Sequence, residues 1–167
     1  MGHKSSANDK KLYVSVIGSG KCKNEKIYEK AVTVGKLICQ EGGVVVSGGK
    51  SGVMKAASRG AKIAGGSCIG ILPEPHRRNE NRFLDYSIPT GLGQARNLSV
   101  ILCADFVIAI SGSYGTLSEI ALAQKHNKPV ILLDSWPLKE LDYTFDKSLL
   151  FEASSPEEAI EIGFSIV

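Results

Sequence analysis

Glu119 is a residue of the chain that could carry out chemistry, because it follows a small-residue turn placed directly after the apolar run ADFVIAI. It lies three residues after Thr116 in the segment SGSYGTLSEI. That spacing is typical of a capping box, in which Thr116 would be the N-cap of a helix and Glu119 would reach back to its amide. A carboxylate one turn into a helix can also contact a ligand hydroxyl or stabilise developing positive charge. Both roles of Glu119 stay open at this point.

Three small-residue turns follow predicted strands, and together they predict a site for an anionic ligand. Glycine lets backbone N–H groups approach a phosphate closely, and the N-terminus of the following helix adds a positive dipole. One such turn alone would be only a chain reversal. The predicted ligand-binding residues in these turns are Gly18, Ser19, Gly20, Gly48, Gly49, Lys50, Gly52, Gly112, Ser113, Tyr114, Gly115 and Thr116.

Arg96, in the segment GLGQARN, is a further candidate for this site through a family resemblance and not through its spacing from the turns. Its planar guanidinium group can donate two parallel hydrogen bonds to a phosphate. The alternative is a surface or helix-capping arginine. Lys21 and Lys50 would add positive charge, or they would be solvated loop lysines. Tyr114 is placed to stack on a base, although an aromatic residue there could equally rim a pocket or a subunit contact.

Spacing excludes two familiar nucleotide-binding motifs. A Walker A loop ending in Gly49-Lys50-Ser51 requires glycine at position 44, which is Val44. The dinucleotide motif G-x-G-x-x-G fits Gly18 and Gly20 but has Lys23 in its third glycine position. We therefore expect neither a kinase-like nor an NAD-linked enzyme.

Short apolar runs alternate with helical patterns, which predicts βαβ units and a parallel sheet. The sequence predicts an α/β fold with a single doubly wound Rossmann-like domain over residues 11–167, its mostly parallel sheet flanked by helices, after a disordered leader over residues 1–10. The irregular segment 73–82 is predicted to be a surface loop or a lid. The predicted strands span 12–18, 44–47, 68–72, 84–88, 105–110 and 130–134, and the predicted helices span 27–38, 52–66, 91–104 and 116–126, with a last helix after Ser155.

Charge and composition indicate which kinds of partner and compartment the chain is suited to. The 167 residues carry a net charge of +3, short of the basic stripe expected of a nucleic-acid-binding protein. The local basic loop HRRNENR, with Arg77, Arg78 and Arg82, has no interleaved aromatic residues, so nucleic acid binding is not expected. No apolar run approaches the roughly 18–20 residues of a membrane span. The four cysteines form no CxxC pair, which predicts a cytoplasmic protein without disulfides or a metal site.

Three segments carry a family resemblance: SGGKSGVMKAASRGAK, IPTGLGQARN and SGSYGTLSEIALAQKHNKPVI. They resemble the Rossmann-like family that includes the molybdenum cofactor carrier protein, and also its more distant relatives, the LOG (Lonely Guy) cytokinin-activating phosphoribohydrolases. In LOG-type enzymes the motif P-G-G-x-G-T-x-x-E holds the phosphoribosyl group, and its glutamate is catalytic together with an upstream arginine. Gly112, Gly115, Thr116 and Glu119 match that motif, and Arg96 falls where the arginine is expected.

Two residues depart from the LOG motif: Ser111 stands in place of the proline, and Ser113 stands in place of the second glycine. With these departures the chain resembles the carrier branch of the family more than the LOG enzymes. The resemblance implies a homodimer or homotetramer that binds a nucleotide or a phosphorylated, molybdopterin-type cofactor without turning it over, and that requires no other cofactor. The alternative that it implies is a phosphoribohydrolase that cleaves the N-glycosidic bond of nucleoside 5′-monophosphates, with Arg96 and Glu119 as catalytic residues.

Overall fold

The computed structural model describes residues 10–140 and 146–167. The predicted leader lies outside these residues except for Lys10, and residues 141–145 of the predicted domain lie outside them as well. Over the described ranges the chain forms seven strands and five α-helices. In chain order they are β1 (Tyr13–Gly18), α1 (Glu25–Gln40), β2 (Val44–Ser47), α2 (Val53–Ile63), β3 (Cys68–Leu72), β4 (Tyr86–Pro89), α3 (Asn97–Leu102), β5 (Phe106–Ile110), α4 (Tyr114–Lys125), β6 (Val130–Leu133), β7 (Leu150–Ala153) and α5 (Pro156–Ser165).

The strands form one sheet in the order β4-β3-β2-β1-β5-β6-β7, and every neighbouring pair is parallel. The chain builds outwards from β1 to β4 and then returns to place β5 beside β1. The carboxyl ends of these two strands meet where Gly18 pairs with Ile110. This reversal of strand order is the topological switch point of a doubly wound sheet. The structure confirms the predicted Rossmann-like α/β fold.

Apolar side chains fill both sides of the sheet, because its central strands are covered by helices on both faces. Every residue of β2 and β5 is buried. One core packs side chains of α1, α2 and α5 against the sheet, including Ile38 and Phe106. The other packs α3 and α4 against the opposite face, including Ile101 and Ile120. None of the helices in the described ranges is long and apolar enough to cross a membrane.

Several elements shift by one to three residues at their ends, and three differences change the topology or the surroundings of the cleft. Strand β7 was not predicted, because LFEA is short and only its two end residues are buried. The helix predicted over 91–104 is instead a 3₁₀ turn over Gly93–Arg96 followed by α3, since Gly91 and Gly93 both adopt positive φ. Helix α4 begins at Tyr114 rather than at Thr116.

Helices α1 and α2 pack backbone to backbone at Gly60. A Cβ atom added to Gly60 would overlap the carbonyl oxygen of Val32 and lie 2.8 Å from the backbone nitrogen of Lys36. The two helices therefore approach more closely than any side chain at this position would allow. Their contact positions α2, which follows the second glycine turn.

We expect Gly60→Ala to destabilise the protein, because the two helix backbones would have to separate. Overpacking of this kind costs about 1–3 kcal/mol, which outweighs the gain of about 1 kcal/mol in helix propensity. Urea-induced unfolding measures the difference. Gly115→Ala in α4 is the matched control, because the nearest atom to its added Cβ lies 3.8 Å away. A Gly60→Ala protein as stable as the wild type would contradict this account of the helix contact.

Candidate functional site

A cleft of about 370 Å³ opens at the carboxyl ends of β1 and β5, at the switch point of the sheet. Its volume lies in the range of sites for small molecules, about 300–1,000 Å³. Residues from separate segments of the chain form its walls: Gly18, Gly20, Lys50, Met54, Pro73, Glu74, Gln94, Arg96, Asn97, Ser113, Gly115, Thr116 and Glu119.

The cleft brings together residues from all three glycine turns, together with Arg96 and Glu119. Eight predicted site residues line it: Gly18, Gly20, Lys50, Arg96, Ser113, Gly115, Thr116 and Glu119. Six others lie outside its lining. Ser19 and Gly112 line a neighbouring pocket of about 280 Å³. Gly49 and Gly52 adopt positive φ within the second turn. The remaining two are Gly48, which packs against Arg96, and Tyr114, which is 83% exposed.

Helix α4 points its N-terminus at the cleft, and its cap differs from the prediction. The N-cap is Ser113, and Thr116 is the third helical residue, whose Oγ1 accepts a hydrogen bond of 3.4 Å from the Ser113 N–H. The prediction of Thr116 as N-cap with Glu119 as its capping partner was therefore wrong. Ser113 is as good an N-cap as threonine, and a cap there adds Tyr114 and Gly115 to the helix. Glu119 lies beyond the first turn and is free of any capping role.

Arg96 ends the 3₁₀ turn before α3, and only 7% of its surface is exposed. Its guanidinium group lies against the backbone of Gly48: a Cβ atom there would be 2.6 Å from Cζ and would overlap both terminal nitrogens. The glycine at position 48 therefore makes the space that the buried guanidinium occupies. The alternative prediction of a surface arginine was wrong.

Arg96 and Glu119 form a buried pair of opposite charges that is too open for a hydrogen bond. Nη1 of Arg96 lies 3.9 Å from Oε1 of Glu119, which is only 8% exposed. Nε of Arg96 is buried and has no hydrogen-bond partner within the described ranges. Guanidinium groups present five donors in a fixed plane, and a buried donor without an acceptor is unfavourable. Arg96, which lines the cleft, therefore keeps a donor without an acceptor among the residues described.

Burial shifts the pKa values of both groups. It raises the pKa of the Glu119 carboxyl to about 7, and the positive charge of Arg96 opposes part of that rise. It lowers the pKa of Arg96, with Glu119 and Glu74 acting in the opposite direction. Arginine nevertheless stays charged at neutral pH. The site thus becomes more positive as Glu119 takes up a proton near pH 7.

A second ion pair joins the second glycine turn to the loop after β3. Nζ of Lys50 lies 2.5 Å from Oε1 of Glu74, and this hydrogen bond lowers the pKa of the Glu74 carboxyl.

Sequence reasoning missed Glu74, although it follows a strand that ends at the same edge of the sheet. Four further lining residues were missed: Met54, Pro73, Gln94 and Asn97. Gln94 and Asn97 flank Arg96 in the predicted segment, which is the signal that could have found them.

The aromatic and basic candidates lie at the surface. The ring of Tyr114 is 6.1 Å from that of Trp136, between centroids. The loop arginines Arg77, Arg78 and Arg82 are exposed. No group of three or more His, Cys, Asp or Glu side chains that could hold a metal ion occurs in residues 10–140 and 146–167.

The chain is thus a Rossmann-like α/β protein with a cleft at the switch point of its sheet. Residues 11–160 match the family described as the SLOG cluster4 family, and the chain belongs to that family.

Two similar solved structures are molybdenum cofactor proteins. The molybdenum cofactor binding protein of Rippkaea orientalis is 43% identical, with a TM-score of 0.89 over 95% of this chain and 99% of that chain. The molybdenum cofactor carrier protein of Chlamydomonas reinhardtii is 36% identical, with a TM-score of 0.84 over 94% of this chain and 98% of that chain. Both similarities extend over nearly the whole domain.

A LOG-type relative is also similar over a shorter stretch. The cytokinin riboside 5′-monophosphate phosphoribohydrolase LOG of rice, Oryza sativa subsp. japonica, is 32% identical over 127 residues, or 70% of this chain and 52% of the relative. The chain thus spans about half the length of that relative. Together these similarities confirm the resemblance predicted from the three sequence segments.

The raised pKa of Glu119 predicts a pH-dependent loss of stability. The folded protein holds this proton more tightly than the unfolded chain, so the wild type loses stability as the pH rises from 4.5 through about 7. Glu119→Gln has no such proton to lose. We expect its free energy of unfolding relative to the wild type to increase by up to about 3 kcal/mol from acid to alkaline pH.

Denaturant unfolding across this pH range measures the effect. Loss of the charge pair with Arg96 shifts the whole Glu119→Gln curve, whereas the change with pH reports the titration of Glu119. Glu80→Gln, which removes an exposed carboxyl, serves as the control. Parallel curves for Glu119→Gln and the wild type would show that Glu119 titrates no differently in the folded and unfolded states.

Proposed function

We propose that this chain binds a phosphate-bearing small molecule in the cleft, a nucleotide or a molybdopterin-type cofactor, and holds it without turning it over. The observation that carries the proposal is that Arg96 is buried beside Gly48 while its Nε has no hydrogen-bond acceptor among the described residues. A buried charge is costly unless an opposite charge pairs with it, and Glu119 pairs only at 3.9 Å. A phosphate would supply the missing acceptors.

The N-terminus of α4 supports the same assignment. Ser113, Gly115 and Thr116 belong to its cap and first turn and line the cleft beside Arg96. The first N–H groups of a helix lack partners within the helix, and its dipole favours an anion. We infer that the phosphate binds between Arg96 and this helix terminus, and that Gly18 and Gly20 allow the ligand to approach the backbone of the first turn.

A molybdopterin-type ligand fits these residues, because it ends in a phosphate and the cleft measures about 370 Å³. The names of the proteins from Rippkaea orientalis and Chlamydomonas reinhardtii favour this ligand class for the present chain. In this role the ligand is cargo. Arg96 and the α4 terminus would hold its phosphate, and protonation of Glu119 would relieve repulsion between the carboxylate and the anion.

The second candidate function is hydrolysis of nucleoside 5′-monophosphates, which the buried Glu119 and the similarity to the rice LOG enzyme favour. Water would attack C1′ of the ribose as the bond to the base nitrogen breaks, giving ribose 5-phosphate. The proton lost by the water would pass to that nitrogen and give the neutral free base. The carboxylate of Glu119 would stabilise the positive charge that develops on the sugar ring. Arg96 would fix the 5′-phosphate.

We also propose a homodimer or homotetramer in the cytoplasm. Large apolar side chains are exposed at Tyr86, Ile88, Leu92 and Leu102, and a contact between copies of the chain would bury such side chains. The four cysteines are free, which supports a reducing compartment.

Arg96→Lys tests the anion site while keeping a positive charge. Lysine lacks the planar fork, so we expect the dissociation constant for AMP to rise about 10–100-fold, as for lost hydrogen bonds to charged groups. Calorimetric titration of AMP and of 6-hydroxymethylpterin phosphate measures the affinities. Gly115→Ala, assayed beside it, reports crowding at the helix terminus without removing charge. Wild-type affinity in Arg96→Lys would contradict the anion site.

Chromatographic analysis of the same AMP incubations separates the two functions. The carrier proposal predicts bound nucleotide and no free adenine. Release of adenine that disappears in Glu119→Ala would establish the phosphoribohydrolase instead. Neither binding nor release, with both the nucleotide and the pterin phosphate, would contradict both functions.

A further inference from the structure

Two side chains of the cleft, Glu74 and Asn97, take no part in the anion site described above. Glu74 lies in the loop that follows β3, and Asn97 is the first residue of α3, next to Arg96 in the chain. Both line the cleft. They come from segments that are far apart in sequence, so the fold itself brings them to the same cavity.

Each of these side chains has a buried oxygen that is not satisfied by the protein. Oε1 of Glu74 accepts from Lys50, whereas Oε2 is buried and has no hydrogen-bond partner in the described part of the chain. Oδ1 of Asn97 is likewise buried without a partner among the described residues, and Asn97 is only 8% exposed. Buried polar atoms are normally paired, so two orphaned oxygens on residues that line one cavity indicate that something else supplies their donors.

We propose that Glu74 and Asn97 form a second recognition point in the cleft, which binds N–H or O–H groups of the phosphate-bearing ligand. This inference rests on the proposed function. It divides the cleft into an anion site at Arg96 and α4 and a donor-binding site at Glu74 and Asn97. The two residues are thus specificity-determining: they select ligands that carry hydrogen-bond donors besides a phosphate.

Charge supports this division of the cleft. Lys50 keeps Glu74 ionised, and an ionised carboxylate only accepts hydrogen bonds. A second phosphate at this point would be repelled by Glu74. The hydroxyls of a ribose, or the ring N–H and amino groups of a pterin, would instead fill both oxygens. Either source gives the same contacts, and the choice of probes separates them.

Glu74→Gln is the decisive variant, because it keeps the shape of the side chain. Lys50 still requires an acceptor, so the amide oxygen stays with Lys50 and the NH₂ group faces the ligand donors. We expect the affinity for AMP or for 6-hydroxymethylpterin phosphate to fall about 10–100-fold, as for a lost hydrogen bond to a charged group. The affinity for inorganic phosphate should stay the same or rise, since a negative charge has been removed.

The measured quantity is therefore the ratio of the two affinities, organic phosphate to inorganic phosphate, from calorimetric titrations. Glu80→Gln is the matched control: it makes the same charge change in the same loop at an exposed position, and it should leave the ratio unchanged. Asn97→Leu, similar in size to asparagine, should lower the ratio as well. Its melting temperature without ligand should be no lower than that of the wild type, because an unsatisfied oxygen has been removed.

Three probes identify the source of the donors. AMP carries a ribose diol, 2′,3′-dideoxy-AMP lacks it, and 6-hydroxymethylpterin phosphate has ring donors without a sugar. A Glu74→Gln effect on AMP but not on the dideoxy nucleotide supports the diol, and an effect on the pterin phosphate supports the ring donors.

An unchanged ratio in both Glu74→Gln and Asn97→Leu would overturn the inference and leave Glu74 as the counter-ion of Lys50. In that case the wild type would still bind inorganic phosphate and AMP, so the proposed function would stand. Failure of the wild type to bind any of these probes would instead refute the proposed function and this inference together.

Discussion

The burial of one positive charge, the guanidinium group of Arg96, is the constraint on which the rest of the site depends. Burying an arginine is unfavourable unless its charge and its donors are compensated, and the fold meets only part of that requirement. Gly48 leaves the space, the 3₁₀ turn over Gly93–Arg96 delivers the side chain, and Glu119 supplies a countercharge at 3.9 Å. Because that pairing is loose, the charge stays available to an anion, as a preformed binding site requires.

The same burial would link the binding of an anion to proton uptake. Glu119 is buried beside Arg96, and this burial raises the pKa of its carboxyl to about 7. A ligand phosphate would take over the role of countercharge, which favours the protonated form of Glu119. A carrier and a hydrolase can therefore share one arrangement: the carrier uses a neutral Glu119, and the hydrolase uses its carboxylate against the developing charge on a ribose. The two activities therefore differ in whether the Glu119 carboxyl is protonated or ionised.

The sequence predicted most of the fold, because apolar strands covered on both faces are easy to recognise, as in β5. Helix boundaries were less predictable: Ser113 and Thr116 both suit an N-cap, and local sequence does not decide between them. The family resemblance, and not residue spacing, associated Arg96 with Glu119. The position of Glu74 after a strand was visible in the sequence, but its ion pair with Lys50 was not, since the pairing of β2 with β3 brings the two segments together.

A crystal structure of the wild-type protein soaked with AMP would show where the phosphate binds. We expect phosphate oxygens within about 2.7–3.2 Å of the Arg96 guanidinium nitrogens and of the backbone nitrogens in the first turn of α4. A phosphate held instead by Lys21 or Lys50, with Arg96 still unpaired beside Glu119, would contradict this expectation. The burial of Arg96 would then be a feature of the fold rather than of ligand binding.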